Sequence, residues 1–239
     1  MGALEVAEGA VQNELRKSAP RLPAGLVVDG ARVPVPGVAE LVTWLDDAKR
    51  APLVTDGSRR RGPVIAVVLH TSRGVRGVVR PGARPSDRAE LLARYQARTE
   101  RDVSWHLTVD TDGTVLQQAD LARWTCWHAG HVNGWTVGLE MVQHADTGDL
   151  WQVQIDATVA VVAAVCGALG VPPRVPVDAS GAPLAGQVKA WQSAKEGGRG
   201  ASWPGVLGHH HVTRNKGEGD PGADVFRALL AAGFEGVRP

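Results

Sequence analysis

Several things are scarce in this chain, and each scarcity excludes something. No run of about 18 consecutive apolar residues occurs, the length a membrane-spanning helix needs. Cys126 and Cys166 are the only cysteines, too few for a disulfide framework. Charge of one sign does not dominate. The formal net charge is +1, so no strong electrostatic pull toward nucleic acid or anionic lipid is expected. The run Arg59, Arg60, Arg61 reads as a solvated linker. The N-terminal stretch MGALEVAEGAVQNELRK has no basic start followed by an apolar core, so it is not a secretory signal, and synthesis in the cytoplasm is the expectation. Phenylalanine and tyrosine are nearly missing, with two and one against eight tryptophans. Amphipathic indole rings suit either packing or a groove for sugar or peptide; Trp124, Trp127 and Trp135 crowd together, and Trp105 precedes a histidine.

The rest is ordinary for a globular chain: 239 residues, 44% hydrophobic and 21% charged. That length allows one large domain, or one domain with an extension, and a substantial core. Residues 1–20 show no clear apolar face and are expected to form a loosely docked arm. Residues 26–36 predict a hairpin around Asp29-Gly30. Val38, Leu41, Val42 and Leu45 predict a short helix over 38–50, and residues 51–62 a linker. From residue 63 the character changes. PVIAVVLH is a continuous apolar run, expected for a strand covered on both faces. Ser86 is a plausible N-cap for a helix to about Glu100. Residues 103–118 predict a hairpin around Asp110–Gly113, 119–135 a loop, 136–143 a strand and 155–169 a buried helix ended by Gly170. Residues 172–203 form a long irregular segment with a short helix near 186–195. Residues 204–212 are expected to be extended, and 224–234 helical. The alternation of strands and helices with one antiparallel hairpin implies an α/β domain: a central mixed β-sheet flanked by helices. Residues 1–62 are assigned to an N-terminal extension packing on or preceding the domain, and 63–239 to the catalytic domain.

The chemistry concentrates in GHHHVTRNKGEGDPG, residues 208–222. His209 and Asp220 flank a Gly-rich loop that can fold a carboxylate back toward an imidazole. Along an extended strand His209 and His211 would share a face, and three adjacent histidines cannot all ligate one small ion. His70 ends the buried strand, at the edge where open α/β sheets place their ligands. Alone it could be a hydrogen-bonded core residue. Two imidazoles and one carboxylate with a fourth position open make a hydrolytic zinc site. Glu140 sits inside the apolar strand VGLEMV. Alternation puts it on one face with Gly138 and Val142, where the small Gly138 suggests an open groove floor.

Taken in order, VVLHTS, SWHLTVDTDGTV, WHAGHVN, TVGLEMV and GHHHV…DPG resemble the zinc-dependent N-acetylmuramoyl-L-alanine amidases of the type-2 amidase and peptidoglycan-recognition-protein fold. The resemblance covers roughly residues 63–234. It implies Zn2+ held by His70, His209 and Asp220, with Glu140 as general base and peptidoglycan as the partner and substrate. It places His128 and Asn133 at the substrate groove, where Trp105 and Trp127 are further candidates. Two departures bear on this. The family often carries a Lys two residues before the last ligand. Here Glu218 stands there, and Lys216 is the nearest cation to stabilise an oxyanion. Many relatives also have a Tyr where Trp105 stands, leaving His106 a polar role. The spacing to Asp220 is one residue longer than expected, so His210 remains an alternative ligand. The activity implied is amide hydrolysis by an endolysin-like lytic enzyme reaching the wall after release. A cytosolic muropeptide-recycling amidase and a non-catalytic peptidoglycan-binding module are the alternatives.

Overall fold

A computed structural model describes residues 25–46, 62–85, 88–186, 188, 203–213, 216–217 and 219–239. The expected arm at 1–20, most of the linker at 51–62, the Ser86 cap, the short helix near 186–195 and Glu218 lie wholly or mostly outside the described residues.

Six strands form the main sheet. In spatial order they are β11 (Gly205–Gly208), β4 (Ala66–Thr71), β8 (Thr136–Met141), β6 (Leu107–Val109), β7 (Val115–Gln117) and β3 (Leu41–Thr43). The pairs β11/β4, β4/β8 and β8/β6 are parallel, β6/β7 is antiparallel and β7/β3 is parallel. The mixed sheet is therefore as the sequence predicts. Every residue of β4 and of β8 is buried, as continuous apolar strands require when both faces are covered. Smaller pairs lie beside it: β1 (Leu26–Val28) with β2 (Ala31–Val33), β5 (Val79–Arg80) with β9 (Leu150–Trp151), and β10 (Arg174–Pro176) with β12 (Glu235–Val237).

Alternation along the strands sends Val67, Leu69, Val137, Leu139, Met141, Leu107 and Val109 into one core. Helix α2 (Gln152–Leu169) and α4 (Ala223–Ala231) cover it with Ile155, Val161, Val162, Val165, Phe226 and Leu229. By length and composition α2 could cross a membrane, but its apolar side faces this core, and its exposed positions include the small Ala163, Gly167 and Ala168. Gln154 anchors its first turn by donating to Val109 O at 2.9 Å and Val142 O at 2.8 Å. Gly170, at φ 68°, ends the helix in the left-handed conformation.

The opposite face carries two separate clusters. Ala66, Val68 and Leu207 pack with Val132 and Val212 at one side. Leu116 and Val142 pack with Ala89 and Ala93 of α1 (Arg88–Arg98) at the other. Asp110 Oδ2 accepts the Ala89 N–H at 2.8 Å, so a residue from the β6–β7 turn caps α1. The gap between the two clusters is where the polar residues of this face sit.

Two expectations need correction. Residues 38–43 are not helical: Val42 and Thr43, both β-branched, lie in β3 on the edge of β7, and only a 3-10 turn, Trp44–Asp46, follows. The histidine run is not extended, because a four-residue helical turn, α3 (His209–Val212), begins directly after β11. A final strand, β12, was not anticipated. Residues 26–33 do form the hairpin, with Asp29 at φ 50° and Gly30 at φ 78°.

Asp120 holds that hairpin to the domain. Its carboxylate accepts the N–H groups of Asp29 at 3.0 Å, Gly30 at 2.8 Å, Ala122 at 3.0 Å and Arg123 at 3.1 Å. Asp120→Ala leaves these donors without their acceptor, and we expect a loss of about 2–4 kcal/mol in urea unfolding. An unchanged midpoint would show that water replaces the carboxylate at no cost.

Candidate metal centre

Parallel register builds the centre. His70 pairs with Glu140 across β4/β8, and Glu140 with Thr108 across β8/β6. Register partners in parallel strands point the same way, so His70 and Glu140 project side by side into the gap between the two clusters. β11 runs parallel to β4 and delivers His209 to the same carboxyl edge. The loop after α3 returns Asp220. Its Oδ1 accepts the Thr71 N–H at 2.8 Å, and Thr71 Oγ1 donates to Gly219 O at 2.9 Å.

His70 Nδ1 lies 2.9 Å from His209 Nδ1, and His209 Nδ1 lies 3.1 Å from Asp220 Oδ2. The three donor atoms fall within 4.8 Å of one another. Tetrahedral bonds of about 2.0–2.1 Å require donor separations of roughly 3.3 Å, so this set fits one small cation. The electrostatics agree with the geometry. Burial, then the neighbouring His209 and His128, push the His70 pKa well below its ordinary value, leaving a neutral imidazole. Burial raises the Asp220 carboxyl, but the hydrogen bond and charge of His209, the Thr71 N–H and Lys216 outweigh it, so the net shift is downward and the group stays anionic. Neutral imidazoles and a carboxylate are the protonation states that ligation needs.

A cavity of about 340 Å³ opens over the set, lined by His70, Glu140, His209 and Asp220 with Trp105, His128, Lys216, Tyr95 and Arg101 among others. Lys216 Nζ stands 3.4 Å from Asp220 Oδ2. Burial, then the Asp220 charge, raise the Glu140 pKa well above the ordinary carboxylate value, with Lys216 opposing. A carboxyl raised in this way, facing a cleft, suits general acid–base duty.

The other sequence candidates divide. Trp105 and His128 line the cavity. His106 does not: it has no exposed surface, its Nδ1 accepts the Gly138 N–H at 3.0 Å and its Nε2 meets Trp124 O at 3.1 Å. With both ring nitrogens on backbone groups and the residue outside the cavity lining, the structure does not support the polar role expected for it. Asn133 is buried too, and its Oδ1 accepts the N–H groups of His128 and Ala129 at 3.1 and 2.7 Å, which makes it a loop clamp. Trp127 is half exposed and lies outside the cavity lining.

His210 stays outside this trio. Its ring turns away, with Nδ1 3.0 Å from Asp220 O, so it holds the ligand loop by the main chain. His211 accepts the Gly208 N–H at 2.8 Å and meets Leu184 O at 2.7 Å. Burial, then His210, lower its pKa to about 3. In a helical turn the three rings diverge by roughly 100° each, so the shared face expected for His209 and His211 does not exist. The floor near Gly138 is not open either: a Cβ there would sit 2.6 Å from His128 Cγ, so the missing side chain makes room for that ring. Sequence reading missed Tyr95, Arg101 and Leu92 as cavity walls. The signal available was the spacing of Leu92 and Tyr95, three residues apart in the expected helix and so on one face of it.

A trio able to hold a cation, beside a buried carboxyl of raised pKa in one cleft, is an arrangement suited to metal-assisted hydrolysis. The family model for N-acetylmuramoyl-L-alanine amidases, Amidase_2, matches residues 60–223, and the chain belongs to that family. No curated protein matches in sequence. Among solved structures, the hydrolase AmiA of Staphylococcus aureus, crystallised with its ligand, is 13% identical over 87% of this chain and 89% of its own, with TM-score 0.48. A Drosophila PGRP-LB mutant in complex with tracheal cytotoxin is 14% identical over 82% and 96%, with TM-score 0.46. The endolysin amidase LysCS of Clostridium intestinale is 13% identical over 56% and 77%, with TM-score 0.37.

Proposed function

We propose that the protein is a zinc-dependent amidase that cleaves the bond between the lactyl group of N-acetylmuramic acid and the L-alanine of the stem peptide in peptidoglycan. The observation that carries this reading is the meeting of His70 Nδ1, His209 Nδ1 and Asp220 Oδ2 beside a register-paired Glu140. A zinc ion held by those three would supply Lewis acidity and a lowered pKa for water. Glu140 removes a proton from the attacking water and delivers it to the departing amine. The C–N bond breaks, water's oxygen stays on the lactyl carbonyl carbon, and L-alanine leaves with a free amino group. Lys216, in the same cleft, offers a positive charge to the oxyanion. Tyr95, Leu92 and Trp105 give the cleft an apolar wall, and Arg101 adds a positive charge suited to an anionic stem peptide.

We further propose that the enzyme acts lytically on the polymeric wall after release from the cytoplasm. Incubation with purified sacculi should release new L-alanine amino termini together with a fall in turbidity. Chelation should stop both, and added zinc should restore them. Bound zinc with no new amino termini would instead identify a binding module. Cleavage confined to soluble muropeptides would identify a recycling enzyme.

A further inference from the structure

We propose that His128 is a positioning residue for the metal centre, holding His70 in the one tautomer that leaves its Nδ1 bare toward the cation. The inference rests on the reading of His70 as a ligand. It follows from a chain of hydrogen bonds running away from the cleft. His70 Nε2 lies 2.9 Å from His128 Nδ1, His128 Nε2 lies 3.1 Å from Thr136 Oγ1, and Thr136 Oγ1 donates to Val132 O at 3.0 Å.

The last group is a backbone carbonyl, which only accepts, and with both imidazoles neutral this sets the polarity of every link. Because the Thr136 hydroxyl gives its proton to Val132 O, its oxygen must accept from His128 Nε2–H. A neutral His128 protonated on Nε2 has a bare Nδ1, which must accept from His70 Nε2–H. A neutral His70 protonated on Nε2 has a bare Nδ1, and that is the atom 2.9 Å from His209 Nδ1. The proton pattern at the centre is thus fixed by one peptide carbonyl three links away. Metal-bound histidines need such a partner to fix ring orientation and tautomer.

Three further features serve the same arrangement. The His70 and His128 rings meet nearly at right angles, at 87° with centroids 5.1 Å apart, so the Nε2–H of one points at the edge nitrogen of the other. Gly138 leaves the space that the His128 ring occupies over the sheet. Asn133 Oδ1 holds the backbone of His128 and Ala129, which fixes the ring's origin. Both ring nitrogens are engaged, and the residue is only 8% exposed, so its part in the site is played through His70.

The test is zinc affinity of the full chain, measured by competition with a chromophoric chelator, alongside the melting temperature of the metal-free protein. His128→Ala should weaken zinc binding by about 10–100-fold. His128→Asn should recover most of the loss, because its Oδ1 can accept from His70 Nε2–H much as Nδ1 does. Thr136→Val keeps the volume of residue 136 but frees His128 to present Nδ1–H, and should weaken zinc by about 10-fold with little change in metal-free melting. Should His128→Ala fail to fold, Thr136→Val and His128→Asn still decide the matter. Zinc affinity equal to wild type in Thr136→Val, or no recovery in a folded His128→Asn, overturns the proposal while leaving the ligand set standing. A wild-type protein that binds no zinc overturns both.

Discussion

Glu140→Gln is expected to lower kcat by about 100- to 10,000-fold, the range a general base supplies, while zinc stoichiometry stays at the wild-type value. The carboxylate stands beside His70 on the next strand and takes no part in the ligand trio, so charge removal should lower turnover through proton transfer and leave the ligands in place. A variant keeping more than about a tenth of wild-type turnover would remove Glu140 from the mechanism. The pH dependence follows from the same burial. Glu140 works as a base only when ionised, and its folded pKa is raised by desolvation and by Asp220. In the metal-free protein the group should therefore titrate above the ordinary carboxylate value of about 4.3, and a bound cation would draw it back down. Lys216 opposes that shift, so Lys216→Met should raise the metal-free titration of Glu140 further. Stability runs the same way. Below the unfolded pKa the group is protonated in both states and burial exacts no charge penalty. As pH rises through the folded pKa the buried carboxylate ionises and stability is lost. Metal-free Glu140→Gln should accordingly melt above metal-free wild type at pH 7–8, by about 2–4 °C per kcal/mol relieved, and the difference should vanish in acid.

The second large effect belongs to Asp220. Asp220→Ala should weaken zinc binding by more than about 100-fold, beyond what a lost outer contact costs, and amidase activity should drop to background. Asp220 also anchors its loop through the Thr71 N–H, so Asp220→Asn is the cleaner variant: it keeps an acceptor there and loses the anion. Comparing His209→Ala with His210→Ala assigns the imidazole. The first should abolish stoichiometric zinc at micromolar protein, whereas the second should only weaken it, since His210 supports Asp220 through the main chain. Full zinc loading in Asp220→Ala would refute the ligand assignment.

Much of this site was legible because register does the work. AVVLHT and TVGLEM are the two longest described strands, each carries one ionisable residue at its next-to-last position, and pairing them places those residues together. The Gly-rich loop before Asp220 announced a chain reversal. The run of histidines misled, because three identical side chains carry no periodicity. Whether they continued a strand or began a helix depended on β11 ending at Gly208, which composition does not show. His106 and Asn133 misled for a related reason. Each sits in a motif with chemical character, but their partners are backbone groups of β8 and of the 128–129 loop, brought near only by the fold. The failure at residues 38–43 is one of context: an apolar spacing that fits a helix was captured by the free edge of β7.

The side chains at positions 70, 140 and 209 hang from neighbouring strands of one parallel trio or from the turn directly after it. A slip of one residue in any of these pairings would carry a ligand or the base to the opposite side of the sheet. Misaligned molecules would then keep their secondary structure and lose the cation together with catalysis. Specific activity in a preparation of this enzyme thus reports the fraction of molecules whose strands have aligned correctly, a property that circular dichroism does not see.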